Sequence, residues 1–285
     1  MIGGGALDRG PWAGMLEELG KLPAFLRRDF LIAWSYRVGF VLDMVNILAQ
    51  AVLFYFVSLL VDPRRIPSVG GVPTSYIAFV AVGIAVGSLL NLGMGRMMSA
   101  IRGEQLMGTL ESLLATPTSG TTIQVGLVLY DLIYLPLRTG VLLALMAMVF
   151  DVDFRLSGVG PSLAIVAALV PFVWGLGAAS AAAVMVFRQA SGLVGIGGYV
   201  LGLLSGAYFP LTLLPPGAEA LARLNPIALA LNGLREALLA GTGWEPALAR
   251  IAVLLPVAAV TWLAGTTAFR LAQAHERRAG TLGLY

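Results

Sequence analysis

Cysteine is absent from the 285 residues, which excludes disulfides and thiolate metal sites. Lysine and histidine occur once each, at Lys21 and His275. The single lysine rules out a phosphate-binding loop. That loop, G-x-x-x-x-G-K-[ST], needs glycine where Met15 stands and Ser or Thr where Leu22 follows Lys21. If ATP drives this chain, another chain binds it. One histidine supplies too few ligands for a metal centre. His275 sits in a polar tail with Glu276, Arg277 and Arg278, on the far side of the last apolar run from any hydrolase-type nucleophile, and no G-x-S-x-G elbow is present. Charge is scarce as well, at 12% of residues against about 25% in soluble domains.

Apolar residues are what the chain has in abundance, 58% of the total with a mean hydropathy of +0.88. By composition it is an integral membrane protein. The pI near 9.4 does not point to nucleic acid. The arginines are scattered at the ends of apolar runs, with no basic face interleaved with aromatics. A helix needs roughly 20 apolar residues to cross a bilayer. Six runs qualify, near 38–61, 74–95, 123–150, 159–187, 191–210 and 247–271. The expected fold is therefore all-α: a tail and interfacial helix over 1–37, then six transmembrane helices within 38–285. In 14–37, Glu17, Glu18, Lys21, Arg27, Arg28, Asp29 and Arg37 alternate with Leu16, Leu19, Leu22, Phe25, Leu26, Phe30 and Trp34. That pattern predicts an amphipathic helix in the membrane interface, broken near Pro23. Its apolar run starts too late, and lacks the cleavage site, for a signal peptide.

Orientation follows from the basic residues. With the N-terminus inside, eleven of the eighteen lie inside, six lie outside and Arg138 lies within a span. Arg64-Arg65 in the first outer loop runs against the trend. Both termini are then cytoplasmic in a cell (inner or plasma) membrane.

The stretch RMMSAIRGEQLMGTLESLLATPTSG, residues 96–120, is an island of charge and turn residues on the same side. Arg102, Glu104 and Glu111 accompany Leu106, Leu110, Leu113 and Leu114, which fall at i, i+4, i+7 and i+8. This spacing predicts one amphipathic helix over 101–116, with a leucine ridge to seat in a groove and charges to set register. Thr116-Pro117 stops it. Residues 211–246 do not fit a seventh span. Their apolar run near 227–240 is too short to cross, and Pro215-Pro216 and Asn225-Pro226 break it into two short helices. The expectation is a hairpin that dips into the outer leaflet and returns.

Asp43, Asp131 and Arg138 fall within apolar runs, at a cost on the order of 2.5–3.5 kcal/mol each at a helix centre. Asp43, Asn46 and Gln50, at i, i+3 and i+7, give the first span a polar stripe. Asp131 and Arg138 share a helix face but lie about 10 Å apart along the axis, so they are not a direct pair. Each carboxylate needs a partner from another helix. These residues either glue helices together or line a translocation path or lateral access site. Gly198, Gly202 and Gly206, with Gly83 and Gly87, have the four-residue spacing of close helix packing, within one subunit or between two. Trp34, Tyr36, Tyr76, Tyr208, Trp244 and Trp262 mostly sit near span ends, as interfacial aromatics do.

The segment Glu104-Gln-Leu-Met-Gly-Thr-Leu-Glu111-Ser-Leu-Leu-Ala-Thr-Pro117 resembles the cytoplasmic segment of the permease subunits of type-2 ABC exporters. Gly206-Ala-Tyr208-Phe209-Pro210 with Leu213-Leu-Pro215, and Asn225-Pro226 leading to Leu234-Arg235, are similar to that family too. The resemblance covers nearly the whole chain, but these two segments are its specific parts. It implies a homodimer, or pseudo-dimer, of six-span subunits in membrane lipid, with ABC ATPase subunits docked below. ATP and Mg would be held by those partners and no cofactor by this chain. It also implies that 101–116 is a coupling helix and that the hairpin, with Tyr208, Phe209, Pro210, Asn225, Pro226 and Arg235, gates the outer side. The cargo expected is amphipathic or hydrophobic, with a lipid-linked glycan or polysaccharide as the alternative. The rival classes are a channel or scaffold without an ATPase and an intramembrane enzyme. The enzyme is disfavoured because the spans lack a base and metal set.

Overall fold

The computed structural model describes residues 17–62, 66–187 and 190–279. Met15, Arg64, Arg65, Arg188, Gln189 and residues 280–285 lie outside the described residues. Residues 17–19 are helical and the chain turns at Gly20-Lys21. Helix α1 (Leu22–Ser35) then opens with Pro23 in its first turn, where a missing N–H is harmless, so the expected helix is broken just before the proline. A kink at Tyr36 (φ −102°, ψ 58°) leads into α2 (Arg37–Leu60). Helix α3 (Tyr76–Leu106) starts at Ser75, whose hydroxyl accepts the Ala78 N–H at 3.3 Å, and is π-helical over Asn91–Arg96. Then come α4 (Leu110–Ala115) and α5 (Gly120–Phe150), the latter capped by Ser119 through the Thr122 N–H at 3.0 Å. A short turn leads to α6 (Val159–Val186), followed by α7 (Ala190–Leu203), α8 (Pro216–Arg223), α9 (Pro226–Ala240) and α10 (Trp244–Ala279).

Five of these helices are long and apolar enough to cross a membrane: Arg37–Leu60, Tyr76–Leu106, Gly120–Phe150, Leu156–Val186 and Trp244–His275. The sixth expected span, 191–210, is shorter than its apolar run. Helix α7 ends at Leu203 after 14 residues, about 21 Å against a hydrocarbon core of roughly 30 Å. The chain then turns through Gly206, held at φ +71°, which a continuing helix would not allow.

Helix α6 is the hub. A Cβ on Gly265 of α10 would lie 1.9 Å from the Gly175 carbonyl oxygen of α6. One on Gly177 of α6 would lie 2.3 Å from the Gly93 carbonyl oxygen in the π-helical part of α3. Backbone therefore packs on backbone from α10 through α6 to α3. A larger core joins α3, α6, α9 and α10 around Val80, Ile165, Leu169, Leu231 and Leu254. A smaller one, at the end where α3 leaves the bundle, gathers Met97, Ile101, Ile123, Met185 and Phe269, with Phe25 of α1 against it. By contrast α7 buries only Ala190, and among its described residues α2 buries only Ile47 and Ala51.

Candidate functional site

The expected 101–116 helix is two pieces at an angle. Helix α3 runs on to Leu106 and stops in a Schellman motif. Gly108 takes φ +69°, its N–H reaches Gln105 O at 3.0 Å, and the Thr109 N–H reaches Glu104 O at 3.0 Å. Leu106 thus belongs to one helix and Leu110, Leu113 and Leu114 to the next, so the four do not form a single ridge. Leu106 and Met107 project at the tip, 66% and 69% exposed. Leu113 is half-buried, and the side chains of Leu110, Glu111 and Leu114 lie outside the described set. Thr116 is extended before Pro117 and ends α4 as its sequence requires.

Glu104, expected as a docking charge, is buried and already engaged. Its carboxylate accepts Arg28 Nη1 of α1 at 2.9 Å and the Thr109 hydroxyl. Burial of a carboxylate demands such partners, and α1 supplies one. Arg102 beside it is half-buried. A second tether lies one helix away. Lys21 Nζ donates to Pro117 O at 2.5 Å and to Glu18, whose other oxygen accepts the Ser119 N–H at 2.9 Å. The hydrogen bond from Lys21, with those from Thr122 and Ser119, holds the Glu18 carboxyl down at about 2. The Phe25 ring lies where a Cβ on Gly126 would be, 2.5 Å from that position, so α1 packs directly on α5. The interfacial helix and the tip thus form one joint.

Among the described residues of the spans, two ion pairs join helices. Asp43 of α2 meets Arg138 of α5 at 3.0 Å and accepts the Tyr134 hydroxyl at 3.0 Å, while Arg138 also reaches Ser88 Oγ of α3 at 3.1 Å. Asp131 of α5 takes a forked contact from Arg96 of α3, at 3.1 and 2.9 Å. Asn46 and Gln50 do not join them: Asn46 is exposed on the outer face of α2 and Gln50 half-buried. Arg96, Tyr134 and Ser88 are the partners that sequence reasoning missed. The only signal for Arg96 was its depth, which matches that of Asp131 across the α3–α5 loop.

The hairpin holds a third constellation. Asn225 caps α9 by accepting the Ile227 N–H at 3.0 Å, and its amide donates to Leu201 O of α7 at 3.2 Å. The Tyr208 carbonyl accepts the Tyr76 hydroxyl at 3.0 Å, and its ring stacks on Phe54 of α2 at 5.5 Å. Phe209 and Pro210 follow in the same turn; Phe209 is half-buried and Pro210 buried. Arg235 of α9 is buried and donates to three carbonyls, Phe79 O at 3.1 Å, Gly206 O at 2.9 Å and Ala207 O at 3.1 Å. The hairpin is thereby tied to α2, α3 and α7 at once.

No curated protein matches the chain. The family model described as ABC-2 type transporter matches residues 21–239, which span α1, the tip, both ion pairs and the hairpin up to the last turn of α9. The matched family is the permease component of such transporters, in keeping with the multi-pass helical bundle. The chain belongs to the ABC-2 type transporter family, as a membrane-spanning permease component.

Proposed function

We propose that this permease pairs with a second copy and with ABC ATPase subunits that hold ATP and Mg. The assembly exports an amphipathic or hydrophobic molecule from the cytoplasm or inner leaflet by alternating access. Both termini and the tip face the cytoplasm, α7 with the turn at 204–210 makes the sixth crossing, and the 211–246 hairpin gates the outer side. The observation that carries this reading is the tip. Leu106 and Met107 are exposed beside Glu104, which is itself locked to α1. An apolar pair projecting from a braced base is what a partner can grip and push. Helix α3 continues from that pair for 31 residues, about 46 Å, to the far end of the bundle. A displacement at the tip would arrive there as rigid-body motion. In this reading the two ion pairs are joints that keep α2, α3 and α5 moving together. Asn46, facing outward where a second copy would close a passage, is the candidate to touch cargo.

The test is a reconstituted complex of the permease with its ATPase subunit. Leu106→Asp should reduce substrate-stimulated ATPase activity to the basal rate, while membrane yield and melting temperature of the permease stay unchanged. Stimulation that survives Leu106→Asp sinks the tip as the input port. A permease that copurifies with no ATPase sinks the exporter reading.

A further inference from the structure

Arg235 is the most buried charged side chain among the described residues, at 2% exposure. A buried guanidinium normally meets a carboxylate. Here it meets carbonyl oxygens of Phe79, Gly206 and Ala207, and its central carbon lies 3.3 Å from the centroid of the Phe79 ring. The charge is thus stabilised by three backbone dipoles and a π face. Two of those carbonyls belong to the turn where α7 stops being helical. Non-helical backbone at membrane depth must find its partners inside the protein, and the Gly206 and Ala207 carbonyls lie past the end of α7 at Leu203. The Arg235 fork supplies their donors, and a planar guanidinium can serve two elements at once in a way that a point charge cannot.

The opposite side of the same turn is closed by α3. A Cβ on Gly83 would stand 2.0 Å from the Ala207 carbonyl oxygen, so α3 backbone rests on that peptide. Ser205, 2% exposed, ties the turn to itself by donating to Gly202 O at 2.6 Å and accepting the Ala207 N–H at 3.2 Å. The turn at 205–207 is held between α3 and α9, and Arg235 is the side chain that bonds to both it and α3.

We propose that Arg235 is a positioning residue for transport: its guanidinium latches the turn after α7 to α3, so that motion of α3 is carried into the outer hairpin. This rests on reading the tip of α3 as the input port and the hairpin as the outer gate. Because the chain contains no cysteine, a single reporter is introduced without background. Ser205→Cys, nearly isosteric, places a thiol in the latched turn. In the full permease–ATPase complex its labelling by a membrane-impermeant maleimide should be slow without nucleotide and should change when the ATPase is trapped with a non-hydrolysable ATP analogue. Adding Arg235→Gln should speed labelling at least ten-fold and abolish its dependence on nucleotide. Equal labelling with and without Arg235→Gln, in both nucleotide states, overturns the latch. If Arg235→Gln fails to accumulate, Arg235→Lys is read in the same assay. Failure of both variants to accumulate overturns transmission and leaves Arg235 a folding role only. The nucleotide-free labelling does not depend on transport. Arg235-dependent protection in a complex without substrate-stimulated ATPase activity would therefore refute the exporter and spare the latch.

Discussion

A carboxylate at membrane depth persists only where donors meet it. Asp43 has two, Arg138 and Tyr134, and both come from α5. The seven-residue spacing of Asp131 and Arg138 already forbade a pair on one helix, so partners from elsewhere were required. Which helix would supply them was not legible, because Arg96 reads equally well as an orientation charge at the end of a span. Glu104 was misread for a similar reason. Charge on a short loop suggests exposure, and nothing local announces that Arg28, 76 residues earlier, will cover it. The Asp43–Arg138 pair makes a clean double-mutant cycle. Asp43→Leu alone, or Arg138→Leu alone, should destabilise the detergent-solubilised permease by about 1–2 kcal/mol, the range for polar contacts between membrane helices. Asp43→Leu with Arg138→Leu should recover most of that loss, since no unpaired charge remains. A double variant whose melting temperature falls by the sum of the singles shows that the two side chains are not coupled.

Helix ends were legible wherever one residue type enforces them. Thr116-Pro117 closes α4 as its sequence requires, and Asn225-Pro226 separates α8 from α9. Ser75, Ser119 and Asn225 also cap α3, α5 and α9 through side-chain bonds, a signal that apolar runs alone do not carry. The end of α3 was not legible, because leucine spacing runs unbroken across a glycine that has turned left-handed. Periodicity reports which residues would share a face if the helix continued, and says nothing about whether it does. The same blindness lengthened α7 past Leu203. Two glycines of the tip separate the effects. Gly103 is helical and Gly108 is left-handed, and a Cβ on either meets nothing within 4 Å. Gly103→Ala should therefore stabilise the permease by roughly 0.5–1 kcal/mol. Gly108→Ala should cost about 1–2 kcal/mol, and Gly108→Asn less, since asparagine tolerates this region. Melting temperatures in detergent read both. Shifts in the same direction would mean that the α3–α4 turn does not have this geometry.

The whole molecule divides its glycines between two uses. Along α10, α6 and α3 they bring backbones into contact, and Gly265 against Gly175 is the tightest of these crossings. Along α7, Gly192, Gly195, Gly197 and Gly202 meet nothing within 4 Å, and Leu193, Ile196 and Tyr199 stand 75%, 62% and 79% exposed beside them. Helix α2 presents a comparable bare apolar face, with Asn46 in its middle. Lipid can cover apolar side chains, but small residues on a bare helix face leave room for another backbone to approach. Among the described residues no element of the same subunit fills that space. In the proposed pairing of two copies, the α7 face is where they would meet. The two uses predict opposite outcomes for the same kind of substitution. Gly265→Leu drives a side chain into the Gly175 carbonyl and should prevent the permease from accumulating at all. A Cβ on Gly202 meets nothing within 4 Å in its own subunit, so for Gly202→Leu yield and melting temperature should hold, while in the proposed homodimer the mass in detergent should fall from dimer to monomer. A Gly202→Leu permease that stays dimeric by light scattering would show that α7 faces lipid and that the copies meet elsewhere.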